Sequence, residues 1–287
     1  MTDWQPYDAV FGPDNTVSGR VVVWRGLASP QLGGARDILA YLPPLLADFP
    51  PTVADRPPSV ADRSDPGRRY PVIYFHDGQN VFDERTSYSG EWRADETLEQ
   101  LAGEGLEAIA VAIPNGGAAR MDEYNPWRDT RRRMGGKGDA YLEWVVNHVK
   151  PLVDATLPTA ADRATTGICG SSMGGLISLY ALAAHPDVFG LAGVMSPSLS
   201  WNDHRMLGLV REGRVPPARI HLDAGGREWR GMLAEARRLR DLLLEQGYVE
   251  GRDLQYVEEP YGIHRESAWA RRLPDALRFL LAQTRVT

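Results

Sequence analysis

Short apolar runs alternate with segments of helical periodicity along most of the chain. VVVW from Val21, ILAYL from Ile38, VIYF from Val72 and AIAVAI from Ala108 are nearly unbroken in hydrophobicity, the pattern of strands buried on both faces. Four more follow: TGIC from Thr166, AGVM from Ala192, RIHLD from Arg219 and LQYVEE from Leu254. The intervening segments repeat their apolar residues at helical spacing. ADETLEQLAGEG presents Leu98 and Leu101, and DAYLEWVVNHVKPLVDATL puts Leu142, Val145, Val146 and Val149 on one face. LAEARRLRDLLLEQG ends at Gly247, a natural helix stop, and ESAWARRLPDALRFLLAQ supplies a last helix. This alternation predicts an α/β fold: a mostly parallel sheet of about eight strands with helices on both faces. The first two strands, joined by a loop alone, are expected as an antiparallel hairpin at one edge. All 287 residues read as a single domain.

One stretch breaks the pattern. Residues 49–69 contain PPTVADR followed at once by PPSVADR, a tandem duplication too rich in proline for a helix or a central strand. It reads as a surface loop insertion and is assigned no role. The net charge of −6 disfavours a nucleic-acid partner, which needs a basic face. A single cysteine excludes an internal disulfide and any multi-cysteine metal site. The N-terminal residues lack the basic start and apolar core of a secretory signal, and no apolar run reaches membrane-spanning length. A cytoplasmic protein with no membrane partner is the expectation.

The chemistry centres on GICGSSMGGL, beginning at Gly167. TGIC supplies a strand and LISLYALAA, from Leu176, a helix; Gly170-Ser171-Ser172-Met173-Gly174 joins them as G-x-S-x-G. In that setting the turn is sharp, its flanks must be nearly free of bulk, and the central serine is forced into a strained conformation that lifts its hydroxyl off the sheet. Ser172 is the candidate nucleophile, Ser171 a filler and Cys169 a small buried residue. A serine needs a base. In this chain order the base follows the acid, which points to His264, on a loop directly after the last strand. His221 sits inside a strand and reads as a packed side chain, and His204 comes too early. The acid belongs on the loop after the seventh strand, LDAGGREWRG, where Asp223 and Glu228 compete. Glu228 is preferred, because it follows the Gly225-Gly226 turn and its longer side chain can reach an imidazole. Donors for a developing oxyanion are expected from the N–H of Met173 and, on the loop FHDGQNVFD, the N–H of Gln79.

Taken together, YFHDGQNVFD, GEW, NGGAARMDEYNPW, GSSMGGL, HPDVFG, MSPSLSW, LDAGGRE and GIHRESAWARRLPDALRFL resemble the putative esterase (esterase D-like) family of α/β-hydrolases. That group includes enterochelin-type, feruloyl and acetylxylan esterases, S-formylglutathione hydrolases and mycolyltransferases. The resemblance runs from about residue 36 to 281 and leaves the proline-rich duplication outside. It implies an α/β-hydrolase fold, Ser172 as nucleophile, His264 as base, an oxyanion hole at Met173 and Gln79, and no metal or organic cofactor. Members use either Asp or Glu as the acid. The chain departs from S-formylglutathione hydrolases in lacking their cysteine near the oxyanion loop.

Arg120, Glu123, Tyr124 and Trp127 fall on the loop after the fourth strand, at the sheet edge where Ser172 emerges. Trp92, Arg120, Tyr124, Trp201 and Trp229 either wall an acyl or alcohol pocket or roof the core beside it. The basic run RDTRRRMGGKG, from Arg128, is read as a solvated loop, with attraction of an anionic substrate as the alternative. The expected activity is serine carboxylic-ester hydrolysis on a small or siderophore-type ester through an acyl-enzyme. Acyl transfer by the same triad and a non-catalytic binding protein on a hydrolase scaffold are the competing readings.

Overall fold

The computed structural model describes residues 3–46 and 67–282. Most of the proline-rich stretch at 49–69 therefore lies outside the described residues. The strands are β1 (Gln5–Pro6), β2 (Arg20–Ala28), β3 (Ala35–Leu42), β4 (Val72–Phe75), β5 (Ile109–Ala112), β6 (Thr166–Ser171), β7 (Leu191–Met195), β8 (Arg219–Gly225) and β9 (Leu254–Glu259). They form one sheet in the order β1-β2-β3-β5-β4-β6-β7-β8-β9. From β5 across to β9 neighbours are parallel, whereas β1, β2 and β3 pair antiparallel. The fold is of the α/β-hydrolase type. The expected hairpin is β2–β3, but the outermost position belongs to β1. Two residues, one of them a proline, leave no hydrophobic signal, and proline is tolerated there only because the strand is an edge.

The helices are α1 (Tyr7–Phe11), α2 (Ala94–Gly103), α3 (Arg120–Glu123), α4 (Gly138–Trp144), α5 (Lys150–Thr156), α6 (Met173–Ala184), α7 (Arg205–Arg211), α8 (Met232–Glu245) and α9 (Glu266–Leu281). The helix expected over the DAYLEW segment is in fact two, α4 and α5, joined by a wider π-type turn at Val145–Val149. Pro151, which has no N–H to donate, follows that turn. Side chains alternate across each strand, so Val72 and Tyr74 face one layer and Ile73 and Phe75 the other. On the first face they meet Leu142 and Val145 at the α4 end, Leu176 and Leu179 of α6, Leu207 of α7 and Leu239 of α8. On the second face they meet Leu98 and Leu101 of α2 and Trp269, Leu273 and Leu277 of α9. Each such leucine contributes about 2 kcal/mol of burial free energy. This stiff two-sided core fixes the carboxyl ends of β4, β6, β8 and β9, from which the site is built. Among the described residues no helix is long and apolar enough to cross a membrane.

Candidate active site

Strand β6 ends at Ser171 and α6 begins at Met173, so one residue makes the whole turn. That residue, Ser172, has φ 58° and ψ −118°, a strained backbone for anything but glycine. Its surroundings hold it there. Its N–H donates to Met195 O at 3.0 Å, and its own carbonyl accepts from Ser198 N at 3.0 Å and Leu176 N at 3.1 Å. Gly170 is sterically required: a Cβ there would lie 2.8 Å from the carbonyl carbon of Gly174 and 2.9 Å from the His76 ring, whereas one on Gly174 would meet His76 Cβ at a tight 3.3 Å. Ser172 Oγ sits 3.1 Å from Ser198 Oγ. Met173 occupies the first helical position, where a backbone N–H has no intrahelical acceptor.

Across the cavity, β4 runs into His76 and Asp77. Asp77 adopts φ 54° and opens a single turn over Gly78–Asn80. A Cβ on Gly78 would come within 2.5 Å of Ile113 N, so only glycine lets this turn lie against the end of β5. The Gln79 carbonyl accepts from Thr86 Oγ1 at 2.7 Å, and its side-chain oxygen accepts from Asn115 N at 3.2 Å. Gln79 is thus held through both its carbonyl and its side chain, and the peptide carrying its N–H is tied down by Val81 N donating to Gly78 O at 3.3 Å. Asp77 takes two 2.7 Å bonds from Arg120 and one of 2.6 Å from Asn115 Nδ2.

His264 lies on the loop between β9 and α9. Its ring is nearly buried, with its face against Trp229 at 4.4 Å and its edge against Trp269 at 4.9 Å. Nδ1 is 3.6 Å from Glu228 Oε2, and neither ring nitrogen has a hydrogen-bond partner among the described residues. The loop of Glu228 and the loop of His264 are zipped together: Gly226 N donates to Glu259 O at 2.8 Å and Arg227 N to Gly262 O at 2.9 Å. The approach needs glycine on both sides, since a Cβ on Gly225 would lie 2.4 Å from Gly262 O, and one on Gly262 2.9 Å from Gly225 Cα.

The two candidate acids are used differently. Asp223 is fully buried and committed elsewhere: it accepts from Ser196 N at 3.0 Å and stands 3.1 Å from His221 Nε2 and 3.2 Å from Arg272 Nε. Glu228 alone of the pair approaches His264. Its second oxygen accepts from Ser196 Oγ at 2.6 Å. That hydroxyl in turn accepts from Trp269 Nε1 at 3.0 Å and Arg272 Nη2 at 2.9 Å.

Ser172, His264, Gln79, Arg120, Trp229 and Trp269 all line one open cavity of about 840 Å³. Three of the expected pocket residues do not. Trp92 is buried in the second core, packed edge-on against Phe75 and tilted against Trp269. Tyr124 is also fully buried; its ring is tilted against His76 and Tyr141, and its hydroxyl accepts from Asp77 N at 2.9 Å. Trp201 lies outside the cavity under the Arg132 guanidinium, 4.6 Å from its ring centre. The aromatic content of a sheet edge is legible in sequence; which ring faces inward is not.

Ser196, Ser198, Trp269 and Arg272 were not foreseen. Arg272 carried a signal: it falls three residues after Trp269 and one before Leu273, on the apolar stripe of α9. A charged residue there is buried and needs partners. Cys169 sits on β6 beneath the turn, and burial pushes its thiol well above the ordinary range, which leaves it an inert core residue.

The sequence model of the family described as "Putative esterase" matches residues 51–280. The chain belongs to this family. It is an ester-hydrolysing enzyme. Over 275 residues the esterase is 25% identical to the uncharacterized protein YbbA of Bacillus subtilis, covering 92% of this chain and 99% of that one. It is 32% identical to the siderophore triacetylfusarinine C esterase of Aspergillus fumigatus over 137 residues, 46% of this chain and 45% of the relative. An IroE-like serine hydrolase from Shewanella oneidensis superposes with a TM-score of 0.68 at 17% identity, over 99% of this chain and 82% of the other. At that identity the likeness speaks for the fold alone.

Proposed function

We propose that this esterase cleaves small carboxylic esters, siderophore-type esters among them, through a Ser172–His264–Glu228 triad and an acyl-enzyme. One observation carries the reading: the strained Ser172 turn and the His264 imidazole open on the same cavity, with Glu228 behind the imidazole. Ser172 Oγ attacks the acyl carbon as His264 Nε2 takes its proton. Glu228 faces Nδ1 and stabilises the imidazolium, the contact closing to hydrogen-bond length as charge develops. The tetrahedral oxyanion is received by the N–H groups of Met173 and Gln79, the first at the positive end of the twelve-residue helix α6. Collapse breaks the ester C–O bond, and the imidazolium returns its proton to the departing alkoxide. Water then attacks the acyl-enzyme, His264 again taking the proton, and the carboxylic acid leaves with Ser172 restored.

The test is turnover of p-nitrophenyl acetate and butyrate by the parent enzyme and Ser172→Ala, with labelling by a fluorophosphonate. Loss of about 10³-fold or more in kcat is expected on removing the nucleophile, together with loss of the label. Equal rates for the two proteins end the proposal.

A further inference from the structure

The charge of the cavity says which esters it takes, an inference that rests on Ser172 being the nucleophile. Three side chains of fixed formal charge line it: Asp77, Arg120 and Glu266. Arg120 is spent on Asp77, giving Nε and Nη2 to its two oxygens at 2.7 Å each, so that pair is formally neutral. Glu266 is different. It is buried to 7% exposure and accepts from Ser89 Oγ at 2.6 Å and Asn80 Nδ2 at 3.4 Å, both neutral donors. Among the described residues no cation lies within ion-pair distance of it; Arg120, bound to Asp77, acts on it only through space.

The basic run does not supply the missing charge. Arg128, Arg131 and Arg132 line a separate hollow of about 220 Å³, and they pair with Asp122, Asp203 and Asp129 respectively. The cavity lining therefore carries one net negative formal charge. At its rim stand two exposed aromatic rings, Tyr88 at 91% and Trp229 at 66% exposure. Aromatic faces attract cations and offer nothing to anions.

We infer that the cavity selects esters bearing a cationic ammonium group and discriminates against anionic ones. Glu266 supplies the charge and the rim aromatics supply the surface. A unit charge held several ångström from a carboxylate at a protein surface changes kcat/KM by about tenfold.

Two isosteric series test this, one varied on each side of the ester bond. The first comprises p-nitrophenyl esters of 4-(trimethylammonio)butyrate, 5,5-dimethylhexanoate and glutarate. The second comprises acetates of choline, 3,3-dimethylbutanol and 3-hydroxypropionate. The cationic ester should exceed its neutral isostere in kcat/KM by about tenfold in at least one series, and the anionic ester should fall below the neutral one in both. Glu266→Gln, which keeps an acceptor for Ser89, should bring the cationic-to-neutral ratio to within about threefold of unity. In the unmodified enzyme the same ratio should shrink as salt rises from about 0.02 to 0.5 M. Cationic and neutral esters cleaved alike in both series, an anionic ester preferred in either, or a ratio unmoved by both Glu266→Gln and salt overturns the inference. Neutral esters cleaved by the parent and not by Ser172→Ala leave the hydrolase reading standing whichever way the ratios fall; no ester cleaved at all overturns both.

Discussion

The indole of Trp229 lies 4.4 Å from the imidazole of His264, ring centre to ring centre, with the planes 30° apart. Trp269 meets the same imidazole edge-on from another side, at 86°. The histidine is thus packed between two aromatic surfaces, with Glu228 Oε2 3.6 Å from its Nδ1. A tryptophan two-thirds exposed is an unusual place to leave so much apolar area, unless the ring has a neighbour to hold.

Trp229→Ala should lower kcat on p-nitrophenyl butyrate by about three- to tenfold, the worth of one aromatic stack. Trp229→Phe should restore most of it. Steady-state kinetics on both variants checks this, and an alanine variant with unchanged kcat counts against an orienting role.

The close approach of the acid and histidine loops gives a steric prediction. Gly225→Ala places a Cβ 2.4 Å from Gly262 O, a backbone atom that cannot move without separating Glu228 from His264. Activity should drop by about 100-fold or more, as expected when catalytic groups are displaced by an ångström. Gly103→Ala is the matched control: it ends α2, has nothing within 4 Å of its would-be Cβ, and should leave activity unchanged.

Arg272 is buried among Asp223, Glu228 and Glu259, with contacts of 3.2, 3.6 and 3.4 Å. Arg272→Met strands buried carboxylates and should cost about 3–5 kcal/mol in a urea titration at pH 7. Arg272→Lys, which keeps the charge and loses the fork, should cost less. A loss below about 1 kcal/mol for Arg272→Met reduces Arg272 to a packing residue.

At the start of α2, Glu91, Asp95 and Glu96 bring carboxylate oxygens within 4.8 Å of one another. Burial first, then Glu96, pushes Glu91 up to about 7, and burial likewise raises Asp95. These groups hold protons in the folded chain that the unfolded chain releases above its ordinary carboxyl range. Their contribution is full below the ordinary carboxyl range and is lost as pH rises through about 7 for Glu91 and about 9 for Asp95. Asp95→Asn keeps an acceptor for the Ser18 N–H and adds a donor toward the glutamates. It should raise Tm at pH 8 to 9 and leave it nearly unchanged at pH 5, as thermal melts across that range will read.

The strands and the serine turn were legible because each is written in consecutive residues. An apolar run between glycines has few alternatives to a buried strand, and a G-x-S-x-G link has room for little except a sharp turn. The tryptophans leave two readings open, pocket wall or core roof, for the complementary reason. Trp92 and Trp229 look alike as letters, yet Trp92 faces the α2–α9 core and Trp229 faces solvent over His264. Ser196 reaches Arg272 across 76 residues, and no local pattern announces such a pairing.

By itself the chain of residues determined the order of strands and helices, the parallel sheet and the residue that turns between β6 and α6, because hydrophobic periodicity and steric bulk act over a few neighbours. The tertiary structure alone decided which carboxylate meets the imidazole, which aromatic rings reach the cavity and that Arg120 is neutralised by Asp77. Those outcomes depend on distances between loops that only the packed sheet brings to one edge.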